Sequence, residues 1–448
     1  MRYGDDPAMA SETLVILFGL GFLGLLLLGM PVAIALIAAA LIFGNLGFGM
    51  GLFGLLPASV YGVVTNYTLM AIPLFVFMGV MLERSRLAEE LLDVFGHVAG
   101  ALRGGMGLAI IVVGVLMGAS TGIVGATVVT LGLLTLPTFV RRGYNKALAC
   151  GTICASGTLG QIIPPSLVLI LLADIMGESV GTLFAAAMLP GLVLAGIYAL
   201  YMLGIGALRP DMAPSIPADE RAALSMPQLV GKICKSVLPP VILIFAVLGS
   251  IIGGVAAPTE AASVGALGSI VIAAASRRLG WRVMNEVLQG TMKITAMVFF
   301  ILIGAQAFTL AFRGLRGAAL VQQLFTLVPG GLTGELVFML ALLFVLGFFI
   351  EWIQICYIVL PMFLPLFAPV GIDMVWLAVL VAMVLQTSFL TPPVGWALFF
   401  LKGVAPAGVT TRDIYLGVMP FVILQLAAVV VVFYYPDIAL WLPRALGW

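Results

Sequence analysis

Apolar runs recur along the chain from residue 13 to residue 435, separated by short polar segments. One helical crossing of a bilayer takes roughly 20 apolar residues, and a helix satisfies its own backbone hydrogen bonds inside lipid. The pattern therefore predicts an all-α, polytopic protein embedded in the lipid bilayer. The composition agrees, because 63% of the residues are hydrophobic and only 9% are charged. Little length remains for an extramembrane catalytic domain, so we do not expect an enzyme.

Charge and metal-ligating residues narrow the possible partners. The formal net charge is +1, which gives no indication of a nucleic-acid partner, and we expect none. The four cysteines, Cys150, Cys154, Cys234 and Cys356, accompany a single histidine, His97. Because small cysteines are ordinary in helical cores and a zinc site takes more ligands, we expect no metal cofactor.

Six landmarks of the first half recur in the second half at a nearly constant spacing of 225 to 229 residues. The matching pairs are Pro31 and Pro258, Gly79 and Gly304, Gly118 and Gly347, Leu136-Pro137 and Leu364-Pro365, Gly143 and Gly371, and Pro164-Pro165 and Pro392-Pro393. Internal duplication of a multi-span unit is typical of secondary transporters. The spacing predicts a first repeat at 1–207, a linker at 208–235 and a second repeat at 236–448.

Basic residues indicate that the two repeats are inverted relative to each other. The segment 106–140 has basic residues beyond both ends, namely Arg103, Arg141, Arg142 and Lys146, whereas its counterpart 334–368 has none at either end. Since Lys and Arg concentrate in cytoplasmic loops, we expect the first segment to open to the cytoplasm and the second to the outside. Each segment either crosses the membrane twice or forms a re-entrant helical hairpin. The basic linker is then cytoplasmic, and both termini are periplasmic.

A further pair of segments carries apolar residues at helical spacing with charges between them. The stretch 84–103 predicts an amphipathic helix that lies along the cytoplasmic interface, and 313–328 is its counterpart in the second half. We therefore expect each repeat to have an arm at the membrane surface.

Each half also contains two polar, Gly/Ser/Thr-rich interruptions of apolar sequence, at 118–127, 155–166, 347–354 and 385–395. The later one in each half carries a double proline, and a proline inside a helix removes a hydrogen bond and clashes with the preceding turn. We expect broken helices at about 147–172 and 374–401. Unwound backbone at membrane depth exposes carbonyls that bind a cation and helix N-termini that bind an anion. Alternatively, these small residues simply allow close helix packing.

Two acidic residues lie within or at the edge of apolar stretches, where an ionised group is costly unless it is paired or hydrated. Glu351 lies in the second hairpin segment and is a site candidate. Glu260 follows Pro258 by two residues. It is therefore either a site residue or an acid in the first turn of a helix that begins at Pro258.

These motifs resemble the large membrane subunit of tripartite ATP-independent periplasmic (TRAP) transporters over nearly the whole chain. The resemblance rests on GMPVAIAL, AIPLFVFMG, the stretch from GAS to LP that ends in RRGY, ASGTLGQIIPPS, APTEAASVGA and LTPPVGWALFF. It implies a sodium-driven, elevator-type importer of the bacterial inner membrane, fed by a periplasmic substrate-binding protein and partnered by a small four-helix membrane subunit. It also implies that two re-entrant hairpins and the adjoining broken helices build the sodium and substrate sites in a mobile transport domain.

The interruptions and the resemblance together give two sets of candidate site residues. The substrate set is Ser156, Thr158, Pro165, Ser166, Thr387, Ser388 and Pro393. The sodium set is Ser120, Thr121, Gly122, Thr127, Gly157, Glu351, Gln354, Thr391 and Gly395. Many family members have Ser-Gly-Ser followed four residues later by Asp in the first hairpin. This chain departs from that pattern with Thr121, Gly122, Ile123 and Thr127, so we expect different ligands at its first sodium site.

The sequence thus predicts a permease that imports a small organic anion, a carboxylate, by sodium-coupled alternating access. A stand-alone sodium- or proton-coupled organic anion symporter without a binding protein is the nearest alternative. A channel fits less well, because paired hairpins with access from two sides suit a carrier. An intramembrane enzyme is disfavoured, because the sequence shows no Ser/His, paired-Asp or metal-ligand constellation.

Overall fold

The computed structural model describes residues 7–49, 51–217 and 226–448, and these residues form helices without a strand. The predicted all-α architecture is thereby confirmed. Residues 218–225 of the predicted linker and residues 1–6 at the N-terminus lie outside the described part of the chain.

Helices α1 to α10 precede the linker. Their bounds are α1 (Pro7–Leu27), α2 (Val32–Phe48), α3 (Gly51–Val64), α4 (Ala71–Arg84), α5 (Leu87–Ala99), α6 (Gly105–Thr121), α7 (Val124–Arg141), α8 (Lys146–Thr158), α9 (Leu167–Met176) and α10 (Val180–Leu208). Short 3₁₀ turns at Thr68–Met70 and Leu159–Gln161 precede α4 and follow α8.

Helices α11 to α21 follow from residue 226 onward. Their bounds are α11 (Met226–Ser236), α12 (Leu238–Ile252), α13 (Pro258–Ala275), α14 (Trp281–Gly314), α15 (Gly317–Thr326), α16 (Gly331–Leu346), α17 (Trp352–Phe367), α18 (Met374–Leu390), α19 (Trp396–Val404), α20 (Thr411–Tyr434) and α21 (Asp437–Ala445). Helix α17 includes a π-helical segment at Ile355–Val359.

Helix length and apolar composition support a multi-pass membrane protein. Within the described ranges, 6 helices are long and apolar enough to cross a membrane: α7, α10, the α11–α12 stretch Pro227–Ile252, α13, α14 and α20. Helices α3 and α4 meet at 52° and make a seventh span if the bent pair is counted as one. The shorter apolar helices of 10–17 residues include α1 and α2, and also α6, α9, α16, α17 and α18, which adjoin the predicted interruptions.

Two helices that follow the hairpin segments begin in the same way. Gly143 and Gly371 adopt φ values of 74° and 75°, a left-handed conformation that glycine adopts without steric cost. Two residues later, the Asn145 side chain accepts a hydrogen bond from the Leu148 amide at 3.1 Å and starts α8. The Asp373 side chain accepts from the Val375 and Trp376 amides at 3.0 Å and starts α18. The Gly143–Gly371 landmark is therefore a shared turn before a capped helix.

The two predicted amphipathic segments are confirmed as helices α5 and α15. Each begins directly after an arginine with positive φ, 56° at Arg86 and 61° at Arg316. Acidic residues of α5 pair with basic residues from the linker side and from the α13–α14 loop: Lys232–Asp93 at 2.6 Å and Arg278–Glu90 at 3.2 Å. The segments predicted to be cytoplasmic thus lie together on one surface of the molecule.

Glu260 is a capping residue of α13. Its Oε2 accepts a hydrogen bond from the Ala257 amide at 2.8 Å, and the side chain is exposed. A carboxylate in the first turn satisfies a backbone N–H that has no partner inside the helix. Of the two alternatives for Glu260, the structure supports the helix start.

The two halves pack against each other through exchanged partners. Helix α2 packs along α14, and α13 packs along α4. Gly304 allows the first contact, because a Cβ there would lie 2.9 Å from the Ala33 carbonyl oxygen. Phe18 of α1 stacks on Phe308 of α14 with ring centroids 4.2 Å apart. Farther along the chain, α8 packs along α20 and α7 along α19. The core therefore runs continuously across both halves.

Candidate functional site

The hairpin segments each consist of two helices joined by a turn. In the first, α6 ends at Thr121, Gly122 adopts φ 60°, and α7 begins at Val124. In the second, α16 ends at Leu346, and α17 begins after Glu351.

The double-proline interruptions separate two further helix pairs. In the first half, the chain leaves helical structure after the 3₁₀ turn Leu159–Gln161 and resumes it at Leu167. In the second half, residues 391–395 separate α18 from α19. The Pro164–Pro165 and Pro392–Pro393 peptide bonds are both cis. Pro165 is buried, whereas Pro393 is exposed and its carbonyl accepts a hydrogen bond from the Tyr415 hydroxyl at 2.8 Å.

The hairpins touch the interrupted helices through glycine. A Cβ on Gly118 would lie 2.6 Å from Gly160 Cα, so helix α6 and the first interruption meet backbone to backbone. In the second half, a Cβ on Gly347 would lie 2.6 Å from Ser388 Cβ. Gly157 similarly packs against Val128 of α7. These glycines support the close-packing explanation for part of the small-residue pattern.

Most of the candidate hydroxyls donate to a backbone carbonyl three to five residues earlier in the chain. The bonds are Ser120 to Met117 at 2.9 Å, Thr127 to Ile123 at 3.1 Å, Thr158 to Ala155 at 2.9 Å, Ser166 to Gln161 at 2.7 Å, Thr387 to Met383 at 2.7 Å, Ser388 to Leu385 at 2.7 Å and Thr391 to Thr387 at 2.7 Å. A hydroxyl that donates its proton still has oxygen lone pairs for a ligand. The Thr121 side chain lies outside the described part of the structure.

Several buried polar atoms in the interruptions have no hydrogen-bond partner within the described residues. They are Ser156 Oγ, both amide atoms of Gln161 and of Gln386, and Oε1 of Gln354. All four residues are at most 1% exposed. Because a buried polar group without a partner is costly, such groups mark positions that water, an ion or a substrate atom completes. Gln161 and Gln386 were not among the predicted site residues, although both lie inside the interruptions.

A cavity of about 410 Å³ lies between the turns of the two hairpins. Its wall combines the start of α7, the start of α17 and side chains from α14, α18 and α19: Gly122, Ile123, Val124, Gly125, Ala126, Val129, Leu167, Ile294, Met297, Val298, Glu351, Trp352, Ile353, Phe389 and Phe400. The volume falls in the range of small-molecule sites. The two hairpins, separated by more than 200 residues in sequence, therefore share one cavity.

Two of the predicted site residues face this cavity, Gly122 and Glu351. The other predicted residues lie behind it or in the interruptions themselves, with Gly395 in the turn before α19 at φ 45°. The aromatic residues Trp352, Phe389 and Phe400 were missed as wall residues. The motifs GFFIEWIQ and LTPPVGWALFF contain two of them, but an aromatic residue in an apolar run carries no signal that separates a cavity wall from a lipid face.

Glu351 directly precedes the first turn of α17, which contains Gln354. A negative group at a helix N-terminus interacts favourably with the helix dipole. Among the described residues, no group of three His, Cys, Asp or Glu side chains could hold a metal ion together. The groups that could bind a ligand in the described part of this region are therefore backbone, hydroxyl and amide oxygens and a single carboxylate.

Solved structures with similar folds are transporters. The chain superposes on the Alcanivorax borkumensis YdaH transporter with a TM-score of 0.61 at 16% identity, covering 98% of this chain and 99% of that chain. It superposes on Neisseria gonorrhoeae MtrF, described among antimetabolite efflux pumps, with a TM-score of 0.63 at 14% identity, covering 92% and 95%. At this identity the likeness shows the fold alone.

Sequence relatives are permeases and not enzymes. The chain is 32% identical over 388 residues to the C4-dicarboxylate TRAP transporter large permease protein DctM of Pseudomonas aeruginosa, covering 85% of this chain and 87% of the relative. It is 30% identical to the sialic acid TRAP transporter large permease of Vibrio cholerae, covering 95% and 97%. It is 27% identical to the ectoine TRAP transporter large permease of Halomonas elongata, covering 94% and 96%. Residues 20–438 match the family described as the tripartite ATP-independent periplasmic transporter, DctM component, so the chain belongs to this family of large TRAP permease subunits.

Proposed function

We propose that the chain is the large permease subunit of a sodium-coupled importer of a small organic acid in the bacterial inner membrane. A periplasmic substrate-binding protein delivers the substrate, and a separate small four-helix membrane subunit completes the transporter. The observation that carries the proposal is the shared cavity between the two hairpin turns, within a chain of this family.

An inverted repeat is supported by equivalent details in the two halves. The turns at Gly143 and Gly371 have the same backbone conformation, and so do Arg86 and Arg316. The helix contacts α2–α14 and α4–α13 exchange partners between halves, as a two-fold relation requires. Basic residues flank only the first hairpin segment, which supports an arrangement with the two equivalent segments on opposite sides of the membrane. Both termini are then periplasmic.

The position of the cavity supports alternating access of the elevator type. Both hairpins and both interrupted helices surround it, so a movement of this unit relative to α2, α4, α13 and α14 carries the site across the membrane. Sodium binds among the hydroxyl and carbonyl oxygens of the interruptions, which are hard ligands, with Ser120, Thr127 and Thr391 as donors. The buried atoms without partners at Ser156 and Gln161 support ligand binding close by.

The first test measures unfolding temperatures of the purified protein in sodium chloride and in equal potassium chloride over a concentration series. A ligand that binds the folded state stabilises it by RT ln(1 + [L]/Kd), so we expect a saturable, sodium-specific rise. Equal unfolding temperatures in both salts would contradict sodium coupling.

The second test measures uptake into proteoliposomes that contain both membrane subunits. We expect uptake to need a sodium gradient and the binding protein. Uptake that persists without the binding protein would support the stand-alone symporter instead.

A further inference from the structure

Among the described residues, the side chains of the cavity wall carry negative charge and no positive charge. Glu351 is the titratable side chain among the wall residues, and no Lys, Arg or His faces the cavity within the described part of the chain. Lys293, the neighbour of the wall residue Ile294 on α14, is exposed and does not contribute to the wall. A carboxylate in a largely apolar cavity is costly unless a positive group pairs with it. Among the described residues, no positive side chain of the wall pairs with it, and the N-terminus of α17 supplies only a partial positive charge.

The aromatic side chains add a second preference for a cation. Trp352, Phe389 and Phe400 contribute to the same wall as Glu351. Aromatic faces attract cations with delocalised or alkylated charge, and the attraction grows when water is excluded.

The other hairpin supplies the opposite polarity. Helix α7 is 18 residues long, and its first three residues, Val124, Gly125 and Ala126, line the cavity. The first backbone N–H groups of a helix have no partner inside the helix, and together with the helix dipole they favour an anion. Helix α17 also begins at the cavity, but Glu351 already lies at its N-terminus, whereas no acidic side chain in the described wall lies at the start of α7. The start of α7 therefore suits a carboxylate, while the side of the cavity at Glu351 suits a positive group.

We propose that the transported molecule is a compact zwitterion with an apolar body, whose carboxylate lies toward the start of α7 and whose positive group lies against Glu351 and the aromatic wall. The inference rests on the proposed transport function and narrows its substrate class. It assigns Glu351 to the substrate and not to sodium. A dicarboxylate is disfavoured, because its second negative group would meet Glu351.

A matched pair of probes tests the charge preference. Glycine betaine and tert-butylacetate have the same shape and differ in the positive charge on the central atom of the bulky end, and succinate represents the dicarboxylates. Unfolding temperatures in sodium chloride, measured over a titration of each probe, give apparent Kd values. We expect glycine betaine to bind at least about tenfold more tightly than tert-butylacetate, with succinate weakest. Equal or tighter binding of tert-butylacetate or succinate, or no stabilisation by glycine betaine, would overturn the proposal.

Variants separate the substrate from sodium. In Glu351→Gln, we expect the preference for glycine betaine to disappear while the sodium-specific rise in unfolding temperature remains. In Phe400→Leu, glycine betaine should lose more affinity than tert-butylacetate. Glu335→Gln, the same change at the far end of the second hairpin, is the control and should keep the preference.

The sodium measurement distinguishes failure of the zwitterion proposal from failure of the proposed transport function. Loss of the sodium-specific rise in Glu351→Gln alone would make Glu351 a sodium ligand and overturn the zwitterion proposal, while sodium coupling stands. Absence of the rise in the unmodified protein would instead contradict the proposed function.

Discussion

The two hairpin turns occupy corresponding positions but differ in chemistry. The first is short, passing through Gly122 and Ile123 directly into α7, and it presents backbone N–H groups among apolar side chains. The second runs from Gly347 to Glu351 and ends in a carboxylate. The two turns that meet at one cavity therefore differ in charge, because a carboxylate lies at the second turn and not at the first.

The two interrupted helices also differ from each other, in burial and in how they contact the hairpins. Residues 159–166 are all buried, whereas Pro393 is exposed and its neighbours are half-buried. The first interruption also meets its hairpin backbone to backbone at Gly118 and Gly160, while the second meets it through the Ser388 side chain. The first interruption is thus more tightly packed than the second.

The largest expected effect concerns these glycine contacts. Gly118→Ala should lower the free energy of unfolding by about 1–3 kcal/mol, because its methyl group meets backbone that cannot rotate away. Gly347→Ala should be similarly destabilising alone but rescued in part by Ser388→Gly, which removes the opposing side chain. Thermal unfolding of the three variants measures both effects, with Gly196→Ala, which has open space, as control. An unchanged unfolding temperature in Gly118→Ala would disprove the tight contact.

A second comparison concerns a hydroxyl without a partner and one with a partner. Ser156 Oγ has none within the described residues, whereas Ser388 donates to Leu385. If Ser156 binds the ligand, Ser156→Ala should reduce sodium-driven uptake about tenfold and leave the ligand-free unfolding temperature unchanged or raised. Ser388→Ala is the matched control and should affect uptake less. A lower unfolding temperature with normal uptake in Ser156→Ala would indicate a packing role.

The next effect concerns a polar link between the halves. Asp174, after the first interruption, accepts hydrogen bonds from Asn66 at 2.5 Å and from the Tyr357 hydroxyl at 2.8 Å, and Tyr357 belongs to the π segment of α17. Asn66→Asp puts two carboxylates together and should lower the unfolding temperature. Adding Asp174→Asn exchanges the partners and should restore it. A double variant no more stable than Asn66→Asp would argue against the link.

The smallest expected effect depends on pH. Partial burial, together with the nearby negative charge of Asp373, raises the pKa of Glu178 above its usual range. A raised carboxyl pKa favours the protonated group in the folded state, so this contribution to stability is present at low pH and is lost as the pH rises through the folded pKa. Glu178→Gln should therefore raise the unfolding temperature slightly at neutral pH and have no effect in acid. A constant difference across the pH series would contradict this origin.

Much of the fold could be predicted from the sequence, because the patterns that predict its helices lie within short stretches of the chain. Apolar run length predicts the helices, and the amphipathic spacing within 84–103 predicts α5. The site was predictable only in part. Gly122 and Glu351 were found from the interruptions, whereas Phe389 and Phe400 reach the cavity only through the packing of α18 and α19. No sequence signal separates them from aromatic residues that face lipid. Gln161 was likewise hidden, because its lack of a partner is a property of its surroundings.

The contact between Gly118 and Gly160 also restricts how the protein can move. No side chain lies between the two backbones, so there is no soft layer that one element could slide across. A displacement of the first hairpin must carry the interrupted helix with it. Any passage that opens for the substrate must then form on the opposite face of the hairpin. On that face the start of α7 lies across the cavity from the start of α17.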